Sequence, residues 1–221
     1  LRSSDLKNLN NIFDKCNLKI RKILLKSFIN GAMISDDFKE FDTFFYLKCK
    51  SDTSKIFYFE NDSLKFEQDF NFGTNIIIQD ISKITSLKKD TVKIILNETE
   101  FYENKNEDNL INNKLFNDES YRKIKKKLIY DIASARIREI LELMIFKNTN
   151  LEHHVRTLKN IFFELDSDFK PASLKEMYIK SFEALSSSDI KLIDEISPKS
   201  MLNTAYKLVH FGWKKEAIPI T

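Results

Sequence analysis

Phe66–Leu96 reads FEQDFNFGTNIIIQDISKITSLKKDTVKIIL, and the change of period inside it decides the fold. Up to Gly73 the pattern alternates as a strand does, with Leu64–Phe70 (LKFEQDF) as its body; beyond Gly73 the apolar residues repeat at helical spacing. The spacing predicts a helix that starts near Ile77 or Asp80 and continues through Ile84. A second, short helix over Ser86–Leu96 follows, with Val92, Ile95 and Leu96 inward and lysines outward.

Upstream of this switch, Phe41–Lys50 (FDTFFYLKCK) reads as a central aromatic strand and Lys55–Glu60 (KIFYFE) as its neighbour. Asn61-Asp62-Ser63 is a turn by composition. Three strands joined this tightly form an antiparallel meander. Further upstream, residues 4–15 place Leu6, Leu9 and Phe13 on one helical face, Leu18–Leu25 (LKIRKILL) reads as a buried strand, and SFINGAMI as a short helix. Gly31 in that helix would let it approach the strand closely.

Downstream, residues 101–120 are polar and Asn-rich and read as an irregular excursion. Glu119–Lys147 is the longest helical pattern, with an apolar stripe through Ile124, Leu128, Ile132, Ile137, Ile140 and Met144. Arg122, Lys123, Lys125, Lys126 and Lys127 then fall on its first turns, where the macrodipole disfavours cations. The bland account of that cluster is a solvated face; the sharper one is a dock for an acidic partner. Asn160–Glu164 reads as a short buried strand, Pro171–Leu185 as a helix with proline at its start, Asp189–Ile196 as a small strand or turn, and Ser200–Phe211 as a last helix stopped by Gly212. The pattern is that of an α/β protein with a mixed sheet.

The 221 residues carry a formal charge of only +3, with acids interspersed among the bases, which gives no nucleic-acid footprint. Nineteen phenylalanines against one tryptophan reflect coding bias as much as physics and are not read as a cofactor box. Cys16 and Cys49 are too few for a disulfide framework or a zinc site and are read as free buried thiols in a reducing cytosol. No run reaches the roughly 20 apolar residues of a membrane span. His153 and His154 project about 100° apart on a helix and His210 stands alone, so neither a metal site nor a Cys/His nucleophile is expected. The chain begins with Leu1 and is expected to be a fragment of a longer protein.

Five stretches in order carry a resemblance. They are LKNLNNIFDKCNLKIRKILLKSFINGAMI, FDTFFYLKCKSDTSKIFYF, FGTNIIIQDIS with Gly73, Asp80 and Ile81, IASARIREILELM with Arg136 and Glu139, and NTAYKLVHFG with Thr204, Ala205, Leu208 and Gly212. Together they resemble the second half of an actin-like, ribonuclease H-like nucleotide-binding protein, and among these the FtsA family of bacterial cell-division proteins. The resemblance implies subdomain IIA over residues 1–79 plus 152–221, and a helical inserted subdomain IIB over 80–151. The first half, with its first phosphate loop, and the terminal membrane-binding helix are not part of this sequence; Trp213, Lys214 and Lys215 are too short a stretch to serve as that anchor.

In such a fold a Gly-rich hairpin wraps the ATP phosphates and an acid places the metal. By resemblance, the acid position here is Lys48, the glycine positions are Lys50, Ser51 and Asp52, and only Thr53 is kept. Gly73 keeps the first place of a Gly-Gly pair whose second is Thr74. The ribose-contacting Glu and Lys align with Lys93 and Leu96. The adenine-side Gly-Gly falls in Phe163-Glu164-Leu165-Asp166-Ser167-Asp168, with no glycine and three acids. The expectation is a degenerate cleft with no cofactor and no catalytic residue; ATP with Mg enters only if Lys48 and Lys50 grip phosphate as point charges.

The resemblance further implies that IIB receives the acidic, apolar C-terminal tail of FtsZ. Arg122, Lys123, Lys126, Leu128, Ile132 and Arg136 are the expected dock, Arg136 by motif position and the lysines by their place beside the apolar floor. The implied role is an adaptor at the inner face of the cell membrane at the division site, joining FtsZ to other divisome proteins and open to self-association in actin-like filaments. The alternatives are a competent ATPase once the first half is present, and an actin-like pilus-assembly platform protein.

Overall fold

The alternation upstream of Gly73 becomes β1 (Phe44–Cys49), β2 (Ser54–Glu60) and β3 (Ser63–Phe70), paired antiparallel in sequence order, with Phe44 opposite Phe59 and Lys55 opposite Asp69. The computed structural model describes residues 3–20, 22–99, 101, 109–116, 119–155, 160–165, 169, 171–186 and 188–211. The turn at Asn61-Asp62 takes positive φ at both residues, as its composition predicts. β4 (Asn160–Leu165) lies parallel to β1, and β5 (Asp189–Leu192) parallel to β4, giving a mixed sheet in the order β3-β2-β1-β4-β5. β1 is central, as its aromatic run implies. β3 is an edge strand that alternates exposed and half-buried residues and shields itself with charge: Lys55 Nζ lies 2.7 Å from Asp69 and 3.6 Å from Glu67.

Eight α-helices occur among the described residues: α1 (Ser3–Lys15), α2 (Lys26–Asp37), α3 (Thr74–Thr85), α4 (Lys89–Glu98), α5 (Lys126–Leu141), α6 (Glu152–Val155), α7 (Ala172–Leu185) and α8 (Pro198–Phe211). A π turn, Glu142–Phe146, continues α5. Two compact units result, Leu1–Phe38 with Ile196–Thr221, and Lys39–Glu195. In the larger one, Phe45, Leu47, Cys49, Ile56, Ile161 and Phe163 of the sheet meet Ile77, Ile81, Val92, Leu96, Ile129, Ala133, Ile137, Tyr178 and Phe182 of α3, α4, α5 and α7 in one core. The opposite sheet face is also apolar and buried, with Phe44 stacked on Phe59 at 4.9 Å and Tyr46 on Phe57 at 5.1 Å. The smaller unit has a modest core of Ile29, Ala32 and Leu208, with Leu24, Phe28, Met33, Met201 and Ala205 against it.

Several expectations are corrected. Leu18–Leu25 is no buried strand: its described residues form no ladder, and Leu18, Ile23 and Leu25 are exposed, so Gly31 has no strand there to approach. α3 begins at Thr74, earlier than its apolar repeat shows, because its first amides are held from outside the helix. Residues 119–125 are not helical. Ile111 N–H donates to the Ile124 carbonyl and Lys126 N–H to that of Asn109, a short ladder that keeps Arg122, Lys123 and Lys125 off the helix, whose first residues are Lys126 and Lys127. The Asn-rich excursion is described only over 109–116 and from Glu119, with a 3-10 turn at Asn113–Phe116. Cys16 is exposed, whereas Cys49 is buried and burial pushes its thiol up to about 11. Gly212 and the residues after it lie outside the described residues.

Candidate functional site

Gly73 sits where α3 starts, against the turn joining β1 to β2. Its φ of −154° is ordinary extended backbone, so conformational freedom is not why glycine stands there. Space is. A Cβ on Gly73 would lie 2.2 Å from the Lys50 carbonyl oxygen and 2.7 Å from the carbonyl carbon and oxygen of Ser51, all backbone atoms. The close approach lets the hairpin serve α3: Thr74 N–H donates to the Lys50 carbonyl at 2.9 Å and Asn75 N–H to the Ser51 carbonyl at 2.8 Å. Two of the four amides that a helix start leaves unpaired are thereby satisfied by the loop itself. Asn75 Nδ2 donates to Asp52 Oδ1 at 2.9 Å, and Lys50 N–H closes the turn on the Thr53 carbonyl at 2.8 Å.

Lys48 and Glu164 meet one strand apart. Parallel pairing places Lys48 beside Glu164, and the ammonium lies 2.7 Å from Glu164 Oε1. Tyr46, two residues earlier on the same face, donates its hydroxyl to the other carboxylate oxygen. The carboxylate is wholly buried and the lysine side chain 11% exposed. A buried charge persists only with a partner this close, and each supplies the other's. The resemblance puts both at cleft positions; their pairing was not legible, because it depends on a parallel register between strands more than a hundred residues apart.

The other expected cleft positions scatter. Lys93 is half-buried on α4, while Leu96 is fully buried in the core and its carbonyl accepts the Ser173 hydroxyl at 2.5 Å. Leu165 ends β4, paired with Cys49. Asp166, Ser167 and Asp168 lie outside the described residues. So the structure brings together Lys50, Ser51, Asp52, Thr53, Gly73 and Thr74, with Lys48 close along β1, and packs Leu96 into the interior.

On the helical side, the Arg136 guanidinium bonds Asp80 of α3 through Nε and Glu139 through Nη1 at 2.6 Å. Arg122 Nη1 donates to the Thr85 and Ser86 carbonyls at 3.1 and 2.9 Å, a cation on the open C-terminal carbonyls of α3. Glu119, which periodicity did not single out, accepts the Lys88 N–H at 3.0 Å at the start of α4. The hydrogen bond from Thr91, the one from Lys88 and the nearby Arg122 hold its carboxyl below the usual range. Lys123 and Leu128 are exposed, Lys126 and Ile132 half-buried. Among the described residues no group of three or more His, Cys, Asp or Glu is placed to hold a metal ion, and no helix is long and apolar enough to cross a membrane.

No family model and no curated protein matches the sequence. Solved structures do match the fold. MreB5 of Spiroplasma citri bound to AMPPNP aligns over 98% of this chain and 67% of its own, with 13% identity and a TM-score of 0.53. The same protein bound to ADP aligns over 94% and 65%, with 13% identity and a TM-score of 0.54. The ethanolamine utilization protein EutJ from Carboxydothermus hydrogenoformans aligns over 87% of this chain but 57% of its own, with 6% identity and a TM-score of 0.47, too low to add weight. The chain thus spans 57 to 67% of the length of these three structures. It has the fold of the actin-like ATPases.

Proposed function

We propose that this chain is the second half of a cell-division adaptor resembling FtsA, working by protein contacts with a nucleotide cleft that no longer takes ATP. What supports the loss is the closure of the β1–β2 turn on α3: the Thr74 and Asn75 amides are used by the Lys50 and Ser51 carbonyls, and Asp52 by Asn75. The turn holds no glycine, and Lys48, one of the two lysines expected to grip phosphate, is neutralised by buried Glu164. The Thr74 and Asn75 amides at the start of α3, already given to those carbonyls, are not free to bind a phosphate.

The adaptor role rests on the resemblance and on the surface around the start of α5. There Lys123, Lys127 and Leu128 are all exposed, side-chain types suited to an acidic, apolar helical peptide such as the FtsZ tail. Because Arg136 bonds Asp80 and Arg122 bonds the end of α3, replacing either would disturb the fold as well as a dock. Lys123→Glu with Leu128→Glu is the cleaner test. In fluorescence anisotropy with an FtsZ tail peptide the double variant is expected to bind at least about 10-fold more weakly, while unchanged affinity would remove the dock from this surface.

A second reading, a nucleotide-binding module completed by another half, is favoured by the AMPPNP and ADP held by the two MreB5 structures that share the fold. A nucleotide titration separates the two.

A further inference from the structure

We propose that the elbow between α3 and α4 is a membrane contact made by the folded domain itself, a projecting basic tip that seats on anionic phospholipid with Ile84 entering the headgroup layer. It does not use the Lys123 and Leu128 surface, and it stands whichever of the two readings of function holds.

From Lys83 to Asp90 six of eight residues are exposed, and the other two, Thr85 and Leu87, pin the turn to the body of the unit. Ser86 ends α3 in the left-handed region at φ 57°, which turns the chain sharply into α4. A run of exposure this continuous marks a corner that stands out from the fold. Ile84 lies at that corner and is 60% exposed, more than any other large hydrophobic among the described residues of the larger unit. Tyr121, next to Arg122 along the chain that crosses the elbow, is 43% exposed and has the amphipathic ring that favours a membrane–water boundary.

The corner is held in shape before any partner arrives. Arg122 Nη1 donates to the Thr85 and Ser86 carbonyls, Glu119 accepts the Lys88 N–H, and Ser82 Oγ donates to the Leu87 carbonyl at 2.6 Å. No ordering is left for binding to supply.

Charge and shape select the occupant. The exposed cations Lys83, Lys88, Lys89 and Arg122 gather at the elbow, against Asp90 and a Glu119 already given to the Lys88 amide and Thr91. An acidic peptide would meet the same cations, but a helical peptide needs a groove with walls, and a projecting Ile84 offers none. A bilayer closes around a convex tip, takes up its apolar side chain and lets the lysine stems reach the phosphates. One apolar side chain alone holds a surface weakly; joined to a basic cluster it supplies the second of the two signals that peripheral binding needs.

Co-sedimentation of the 221-residue chain with vesicles tests this. Vesicles of equal parts phosphatidylcholine and phosphatidylglycerol should bind it at least about 10-fold more tightly than phosphatidylcholine alone, and less as salt rises. Lys88→Glu with Lys89→Glu, and separately Ile84→Glu, should each lower that binding by about 10-fold or more. Lys7→Glu with Lys15→Glu, the same change of charge on exposed lysines of α1, should leave it unchanged. In the wild type, hydrogen exchange over residues 83–90 should slow when the mixed vesicles are added. Absent or equal binding to the two vesicle types would overturn the proposal, as would binding that leaves exchange at 83–90 unchanged or is lost only in the α1 variant. Slowing at 83–90 by poly-glutamate but not by vesicles would overturn it in favour of an acidic peptide.

Discussion

Gly73 is the residue on which the cleft edge turns, and its reason is steric. Adding one methyl group pushes on three backbone atoms of Lys50 and Ser51 that have no rotamer to change. Gly73→Ala should therefore cost about 2–3 kcal/mol, at the upper end for overpacking, measured by urea denaturation; a loss below about 0.5 kcal/mol would show that the hairpin yields freely. Lys48 makes a second residue-scale claim. If its ammonium exists for Glu164, Lys48→Met leaves a buried carboxylate with Tyr46 alone and should cost about 3–5 kcal/mol. Adding Glu164→Leu should then restore most of the loss, the sign of a coupled pair. Independent, additive losses would contradict it. The sequence showed that Lys48 stands where an acid is expected, but only the register of β1 with β4 shows what the lysine does there.

At the scale of elements, α3 is a rod of 12 residues, about 18 Å long, fixed at three points. Its start is held by the hairpin carbonyls, its middle by the Asp80–Arg136 pair, and its last carbonyls by Arg122. Glu119 extends the same clamp to the start of α4. Its carboxyl is held below the ordinary value of 4.5, so the stability it adds is present above that pH and disappears as pH falls through its lower folded value. Glu119→Gln should thus melt below the wild type at pH 7 and together with it once the pH has fallen through the lowered folded value; a gap that persists in acid would mean that the charge is not what holds the turn. The helix bodies were legible because apolar periodicity is local. Their ends were not. The start of α3 depends on a distant turn, and residues 119–125 leave the helix because Ile124 pairs with Ile111 and because five cations near a helix N-terminus are disfavoured. Leu18–Leu25 has a strand's composition, and a strand forms only with a neighbour to pair with.

For the whole molecule, the meander, the parallel return of β4 beside β1 and the helices on the sheet give the actin-like fold that the order of motifs around Gly73 implied. That order was readable because each motif is a local hydrophobic pattern, three of the five holding one of the chain's three glycines. The missing glycines were readable in the sequence; the use of the Thr74 and Asn75 amides by the Lys50 and Ser51 carbonyls needed the geometry, and the proposed loss of nucleotide binding rests on it. Isothermal calorimetry with ATP and Mg at millimolar concentration, on this chain and on the chain continued upstream, tests it most directly. The account predicts no saturable heat from either, whereas saturable, Mg-dependent binding to the longer chain would contradict it.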